Sequence, residues 1–292
     1  MNNVKITLGM PVLNGEKHIR FALNSIFKQS FKNFNLIISD NASSDKTFSI
    51  CNEYKKKHKN IKIYKQKKRI SGIDNWISLL EKTKSKYFLF CAHDDYFKEK
   101  DYLKKLINKI SYNTIPISSV KIIDHNNNII KHLSNDRVLN YKGPSIYRRL
   151  KFFITPSLIG KNRILYGIQE RNHVLKILKI FQKIEYTKNY FYNYLDYVDN
   201  YMHYEILKKK KIVTVNTTTL YKRIKKHEEK VNLLGSKKNK FRLMLNQLQI
   251  LWTYTRFSNF LEIVIITLLI PVYILNERIL LLIFKIKNKF NV

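Results

Sequence analysis

Tyr87-Phe88-Leu89-Phe90-Cys91-Ala92-His93-Asp94-Asp95 carries the key to the fold. The first five residues are uncharged and rich in aromatic side chains, a pattern that predicts a strand buried on both faces. Two adjacent carboxylates follow almost at once. An ionised group is too costly to bury alone, so charges placed just beyond an interior strand face a cleft or a partner. Paired aspartates offer hard oxygen donors, which suit a divalent cation that also bridges phosphate oxygens. Acidic residues are common at loop starts as well, so the pair by itself leaves a plain loop role open.

The same grammar repeats upstream. Val4, Ile6, Leu8 and Met10 alternate and stop at Pro11, which predicts a strand. Ile19, Ala22, Leu23, Ile26 and Phe27 then recur at helical spacing, with Asn14 as the expected N-cap. Leu36 to Ser39 predicts a second strand, and Asp40-Asn41-Ala42-Ser43-Ser44-Asp45 leads into a helix reaching about Lys57. A third strand around Ile61 to Tyr64 precedes a helix bearing Ile73, Trp76, Ile77 and Leu80. Strands alternating with helices predict parallel pairing through right-handed crossovers. The expected fold is therefore α/β, a mostly parallel twisted sheet flanked by helices. Ligands bind beyond the carboxyl ends of such strands. Asn14-Gly15-Glu16, Asp40 to Asp45 and His93-Asp94-Asp95 all fall at that edge.

Composition sets the wider limits. A chain of 292 residues with 45% hydrophobic content can bury one large core plus an appendage. Lys and Arg number 55 against 21 Asp and Glu, a formal net charge of +34. That excess points to a polyanionic neighbour: nucleic acid, an anionic membrane surface or a phosphorylated substrate. Compositional drift towards Lys, Asn, Ile and Tyr accounts for it equally well, and the basic residues are spread along the whole chain. Cys51 and Cys91 lack metal-ligand spacing and read as small core residues of a reducing compartment. The stretch opening Met1-Asn2-Asn3-Val4-Lys5 lacks a charged start followed by a long apolar run, so no secretory signal is expected and the expected location of the active domain is the cytoplasm. No dinucleotide-type or Gly-Lys-Ser/Thr glycine loop occurs among only seven glycines. A metal and basic side chains would have to hold any phosphates instead.

Further along, the pattern predicts a helix near Asp101 to Ile110, short strands around Ser118 to Ile123, a helix over Leu195 to Leu207 and a strand at Ile212 to Val215. From about Phe257 the composition changes. Ile263 to Leu275 carries no charge but contains Pro271, and a second apolar run, Ile279 to Phe284, follows Asn276-Glu277-Arg278. Neither run reaches the roughly 20 residues that span a bilayer. They predict a helix pair lying in the membrane interface, with Lys285, Lys287 and Lys289 on anionic headgroups. A buried core or oligomer contact and a true span are the alternatives.

Five fragments together resemble family 2 glycosyltransferases in order and spacing. They are Pro11-Val12-Leu13-Asn14-Gly15-Glu16, Ser25 to Phe31, Ile38 to Thr47, Gly72 to Asn75 and His93-Asp94-Asp95. The resemblance is close over residues 4 to about 110 and thinner to about 230. It implies the glycosyltransferase A-type fold and an inverting transfer from a nucleotide-diphosphate sugar to a hydroxyl of a cell-surface glycan or lipid-linked oligosaccharide. By motif, Pro11, Leu13, Asn14, Glu16, Asp40, Asn41, Asn75 and Asp94 would hold the donor. Asp95, with Asp94, would hold a divalent cation, Mn or Mg. Asn41 stands where relatives more often carry a second aspartate, which leaves the base preference open; Ala92 stands where many carry another aspartate, a shortened variant of the acidic motif that does not imply loss of activity. The family's general base is an acidic residue opening a helix about a hundred residues on; Asp199 fits best and Asp196 is its competitor. The chain is expected to divide into a catalytic domain, 1–232, and a membrane-associated helical tail, 233–292, on the cytoplasmic face of the membrane. Within that domain 1–110 would bind the nucleotide sugar and 111–232 the acceptor.

Two rival readings belong to other classes. A basic nucleic-acid-binding protein would use the charge and the 13% aromatic content, but it leaves the ordered acidic motifs without a role. A nucleotidyltransferase on a related α/β fold lacks its glycine-rich entry loop here.

Overall fold

Ile6, Leu8, Met10 and Val12 alternate with Thr7 and Gly9, and nearly every residue of the strand they form is buried. Burial on both faces belongs to the middle of a parallel sheet. The computed structural model describes residues 5–133, 141–155, 161–186, 195–223 and 259–289. In it β1 (Ile6–Val12) lies between β2 (Phe34–Asp40) and β4 (Tyr87–Phe90), and β3 (Ile61–Lys65) flanks β2; all four strands are parallel. β8 (Gln169–Glu170) joins β4 antiparallel to complete a five-stranded sheet. Helices α1 (Ile19–Phe27), α2 (Thr47–Lys57) and α3 (Gly72–Lys82) are the crossovers. Ser71 caps α3 by accepting the Asp74 N–H at 3.1 Å, and Asp74 adds a negative charge to the first turn.

Pro11 does not end β1. The Cys91 N–H donates to the Gly9 carbonyl at 2.9 Å, which turns the polar groups of Gly9, and of Pro11 two residues on, towards β4. The named strand β4 has stopped by then, so the N–H that proline lacks is not needed there, while Pro11 keeps its register with Ser39 of β2.

A second, four-stranded sheet has the order β5-β9-β6-β7, with β5 (Tyr96–Phe97), β6 (Thr114–Ile123), β7 (Ile129–Leu133) and β9 (Lys211–Arg223). β9 runs well past Val215. Its register with β6 shifts between Ser118 and Ser119, whose partners are Val215 and Thr219, so the polar Asn216-Thr217-Thr218 run is accommodated as an irregularity. The other helices among the described residues are α4 (Tyr102–Ile107), α5 (Ser145–Ile154), α6 (Arg171–Tyr186), α7 (Leu195–Lys209) and α8 (Phe260–Lys289), with a 3-10 turn at Lys161–Tyr166. Strand alternation sorts the core into two clusters. Leu36, Ile38 and Leu89 pack with α1, α2 and α4, whereas Ile37, Phe88 and Phe90 pack with α3, α5, α6 and α7.

The apolar C-terminal segment is one continuous helix instead of the expected pair. α8 contains Pro271, and Arg149 of α5 forms a buried ion pair with Glu262 near its start. Ile266 and Tyr273 are buried in the larger cluster, and the Tyr273 ring stacks on Phe153 at 5.2 Å. Leu261, Val264, Leu268, Val272, Leu275 and Ile279 stay exposed, Leu268 at 72%. Among the described residues no helix is long and apolar enough to cross a membrane. The expected domain boundary at 232/233 and the tail up to 258 lie outside the described residues.

β1 and β4 meet tightly at Gly9: a Cβ there would sit 2.1 Å from Cζ of the fully buried Phe88 ring. Gly9→Ala is expected to cost about 1–3 kcal/mol through overpacking. In urea unfolding the midpoint should fall with an unchanged m-value, and Phe88→Leu in the Gly9→Ala background should recover part of the loss. An unshifted midpoint for Gly9→Ala contradicts this packing.

Candidate active site

Because β1, β2 and β4 are parallel and in register, Val12, Asp40 and the Cys91–Asp95 segment end at one edge of the sheet. Two loops there are laced together. The N–H of Asn14 donates to Ser43 Oγ at 2.9 Å, that of Gly15 to Thr47 Oγ1 at 2.7 Å, and that of Glu16 to Asp45 Oδ2 at 3.1 Å. In return the Ser44 N–H donates to Asn14 Oδ1 at 3.0 Å and the Lys46 N–H to Glu16 Oε2 at 2.9 Å. Asn14 is thus not the cap of α1; His18 precedes that helix without a side-chain capping bond. Asn14 and Ala42 both have positive φ, 50° and 60°. For alanine that conformation costs about 1–2 kcal/mol, strain of the kind that collects at functional sites.

The other donor-binding candidates occupy distinct layers. Asp40 is fully buried; its Oδ1 accepts the Ser43 N–H at 2.9 Å, and its Oδ2 has no hydrogen-bond partner among the described residues. Asn41 pairs in both directions with the backbone of Ile70, at 2.9 Å each way, and so fixes the segment leading into α3. Asn75 is 3% exposed, and its amide is engaged by Ser39 in both directions. Pro11 is half-buried in β1 and Leu13 half-buried just beyond it. The His93 ring lies against the bare backbone of Gly15, where a Cβ would meet its Cδ2 at 2.5 Å.

Asp95 is 4% exposed. Its Oδ1 accepts the backbone N–H of Arg223 at 2.9 Å, and its Oδ2 has no hydrogen-bond partner among the described residues. Burial, reinforced by the neighbouring Asp94 charge, pushes its pKa up to about 7, against the pull of Lys222 and Arg223. A buried carboxylate with an orphaned oxygen beside a second carboxylate has the donor chemistry for a divalent cation. Among the described residues no three His, Cys, Asp or Glu side chains gather to cage one. An ion at Asp95 and Asp94 would therefore complete its shell with water and diphosphate oxygens, the usual arrangement for magnesium.

Asp199 stands in the second turn of α7, half-buried, 104 residues beyond Asp95 in the chain. The fold nevertheless brings the two into one electrostatic neighbourhood, since both carboxylates act on Tyr166 and on Lys222. The Lys222 ammonium lies against Tyr166, with Nζ 5.3 Å from the ring centre. Burial raises the Tyr166 phenol, while Tyr166 and then Asp95 raise Lys222, so at neutral pH the phenol is neutral and the ammonium charged. The side chain of Asp196 lies outside the described residues. Tyr166 is a site residue with no sequence signal: it ends a 3-10 turn, where no periodicity marks it. Cys51 and Cys91 are buried free thiols, and burial pushes Cys51 up to about 12, which makes it unreactive.

Known proteins bear on this geometry. GlyA, a glycosyltransferase of Streptococcus pneumoniae, is 32% identical over 107 residues, covering 36% of this chain and 15% of that protein. An uncharacterised glycosyltransferase of Haemophilus influenzae is 29% identical over 143 residues, 48% of this chain and 57% of its own length. The chain thus spans well under two thirds of these relatives. In structure it is similar to S. aureus TarS 1-349 in complex with UDP-GlcNAc, at a TM-score of 0.52 and 18% identity over 76% of this chain and 59% of that one. It is also similar to the mannosyltransferase PcManGT from Pyrobaculum calidifontis in complex with GDP-Man and Mn2+, at a TM-score of 0.56 and 13% identity over 94% and 75% of the two chains. At these identities the likeness is one of fold, the glycosyltransferase A type. The family model described as glycosyl transferase family 2 matches residues 7–166, from β1 through both strand-end acidic clusters to Tyr166, and the chain belongs to that family.

Proposed function

We propose that the chain is an inverting glycosyltransferase that moves a sugar from a nucleotide-diphosphate sugar to a hydroxyl of a cell-surface glycan or lipid-linked oligosaccharide. The observation that carries this reading is the constellation of Asp95, Lys222, Tyr166 and Asp199, two carboxylates acting on one protonated lysine at the sheet edge where ligands bind. The nucleotide sugars on the two structural relatives, and the Mn2+ on one of them, support the donor class and the cation.

In the proposed reaction, Asp199 accepts the proton of the acceptor hydroxyl as its oxygen bonds to the anomeric carbon. The bond from that carbon to the diphosphate oxygen breaks on the opposite face, which inverts the configuration. A carboxylate suffices as base because the hydroxyl becomes acidic only as the new bond forms. Asp95 and Asp94 would hold Mn2+ or Mg2+, which when bound neutralises charge on the leaving diphosphate. Lys222, charged and half-buried, adds to that field. Asp40, with one buried oxygen unpartnered among the described residues, is placed to receive a donor N–H or O–H from the nucleoside.

The proposed location is the cytoplasmic face of the cell membrane, reached through the C-terminal helix. The exposed row Leu261, Val264, Leu268, Val272, Leu275 and Ile279 supports this, because the Arg149–Glu262 ion pair and buried Tyr273 fix the opposite face of α8 against the core. Such a face can enter the headgroup boundary while lysines meet anionic lipid.

Two experiments test these readings. Asp199→Asn should lower turnover by about 10²- to 10⁴-fold while the thermal shift produced by the nucleotide sugar is kept. Asp95→Asn should lose the part of that shift that depends on Mn2+. Full turnover by Asp199→Asn, or an unchanged Mn2+ effect in Asp95→Asn, contradicts the assignment. For the tail, Leu268→Glu with Leu275→Glu should abolish sedimentation with vesicles containing phosphatidylglycerol while leaving the melting temperature near wild type. Equal sedimentation of both proteins removes α8 as the membrane contact.

A further inference from the structure

The Asp94-Asp95 pair is held from behind by one residue of the second sheet, through its backbone N–H and its side chain. Arg223, the last residue of β9, is 6% exposed. Its backbone N–H donates to Asp95 Oδ1 at 2.9 Å, and its Nε donates to the Asp94 carbonyl at 3.3 Å. The far side of the guanidinium reaches the turn between β6 and β7, where Nη1 donates to the Asp124 carbonyl at 2.7 Å and Nη2 to Asn127 Oδ1 at 2.6 Å. That turn is itself shaped for the contact. Asn127 has φ 71°, and Asp124 Oδ1 accepts the N–H groups of Asn126 and Asn128, both at 2.8 Å.

We propose that Arg223 is the positioning residue of the acidic pair: it fixes the Asp94-Asp95 backbone and carboxylate to the second sheet, so that the pair meets a cation and diphosphate already arranged. Three features carry this. Among the described residues all of its guanidinium bonds end on neutral oxygens, so no salt bridge ties up its charge there. Its planar fork serves three acceptors lying in different directions, a geometry the lysine ammonium does not reproduce. Finally, Asp95 has no hydrogen bond to its own loop among those described here; the Arg223 N–H is what orients its Oδ1. Groups behind a metal ligand commonly set its affinity in this way.

The proposal rests on the reading of Asp95 as the cation-holding carboxylate, and the experiment separates the two. Mn2+ would be titrated calorimetrically into the full chain, alone and with UDP or GDP, for wild type, Arg223→Lys, Arg223→Gln and Asn127→Gly. Glycine at 127 keeps the positive φ and removes only the Nη2 acceptor. Arg223→Lys and Arg223→Gln should weaken Mn2+ binding about 10- to 100-fold, and Asn127→Gly should shift it in the same direction by less. Saturating Mn2+ should restore kcat to near the wild-type value while KM for the donor stays raised. Mn2+ affinity in Arg223→Lys equal to wild type, or a loss of activity that tracks melting temperature and no metal affinity, overturns the proposal. Wild-type protein that takes up no Mn2+ with either nucleotide overturns the cation reading and the positioning role with it.

Discussion

Parallel pairing of β1 with β2 on one side and β4 on the other is the constraint from which the site follows. Register sets Val12 beside Asp40 and brings Cys91 back to Gly9, so both acidic strand ends open at the same edge without a loop having to travel. The close approach that makes this possible requires a residue without Cβ at position 9 against Phe88. Hydrophobic burial on both faces of these strands thus places charged groups, because the chain has only one way to emerge from each strand.

What lies beyond the strand ends is held by polar contacts between segments distant in sequence. Asn14 and Glu16 clasp the Ser43–Lys46 loop, Asn41 clasps Ile70, and Arg223 clasps both the Asp94-Asp95 segment and the β6–β7 turn. Left-handed backbone at Asn14 and Ala42 is tolerated because this lacing over-determines it. The outcome is an acidic edge with rigid walls, in which Asp40 and Asp95 each keep one buried oxygen that no described residue partners. Preorganisation of that kind lets a charged ligand bind without reorganising the protein.

Much of this was legible in the sequence wherever a period or a strand end marked it. The run of apolar residues before His93-Asp94-Asp95 located β4 and its carboxylates, and alternation located β1 and β2. Asn14 has the residue type of a helix start, but cross-loop partners 29 and 30 residues away decide its conformation. The second half of β9 was hidden by Asn216-Thr217-Thr218, whose polar character breaks the apolar pattern although Glu99 accepts from Thr218 and Thr219 across the fold. Tyr166 and the clamp of Arg223 are purely tertiary. In the tail, Pro271 and Asn276-Glu277-Arg278 suggested a break, yet the helix continues because its packed side is secured by Glu262, Ile266 and Tyr273.

The proposed reaction requires that Asp95 and Asp199 face one reaction centre. Its most direct test is a crystal structure of the full chain with Mn2+ and UDP or GDP, with the ion located by anomalous scattering. The account predicts one ion within about 2.0–2.6 Å of an Asp95 carboxylate oxygen and of diphosphate oxygens, with the Asp199 carboxylate across a gap that admits a hydroxyl. An ion bound away from Asp95, or an Asp199 carboxylate turned from the nucleotide into the helical layer, would contradict it.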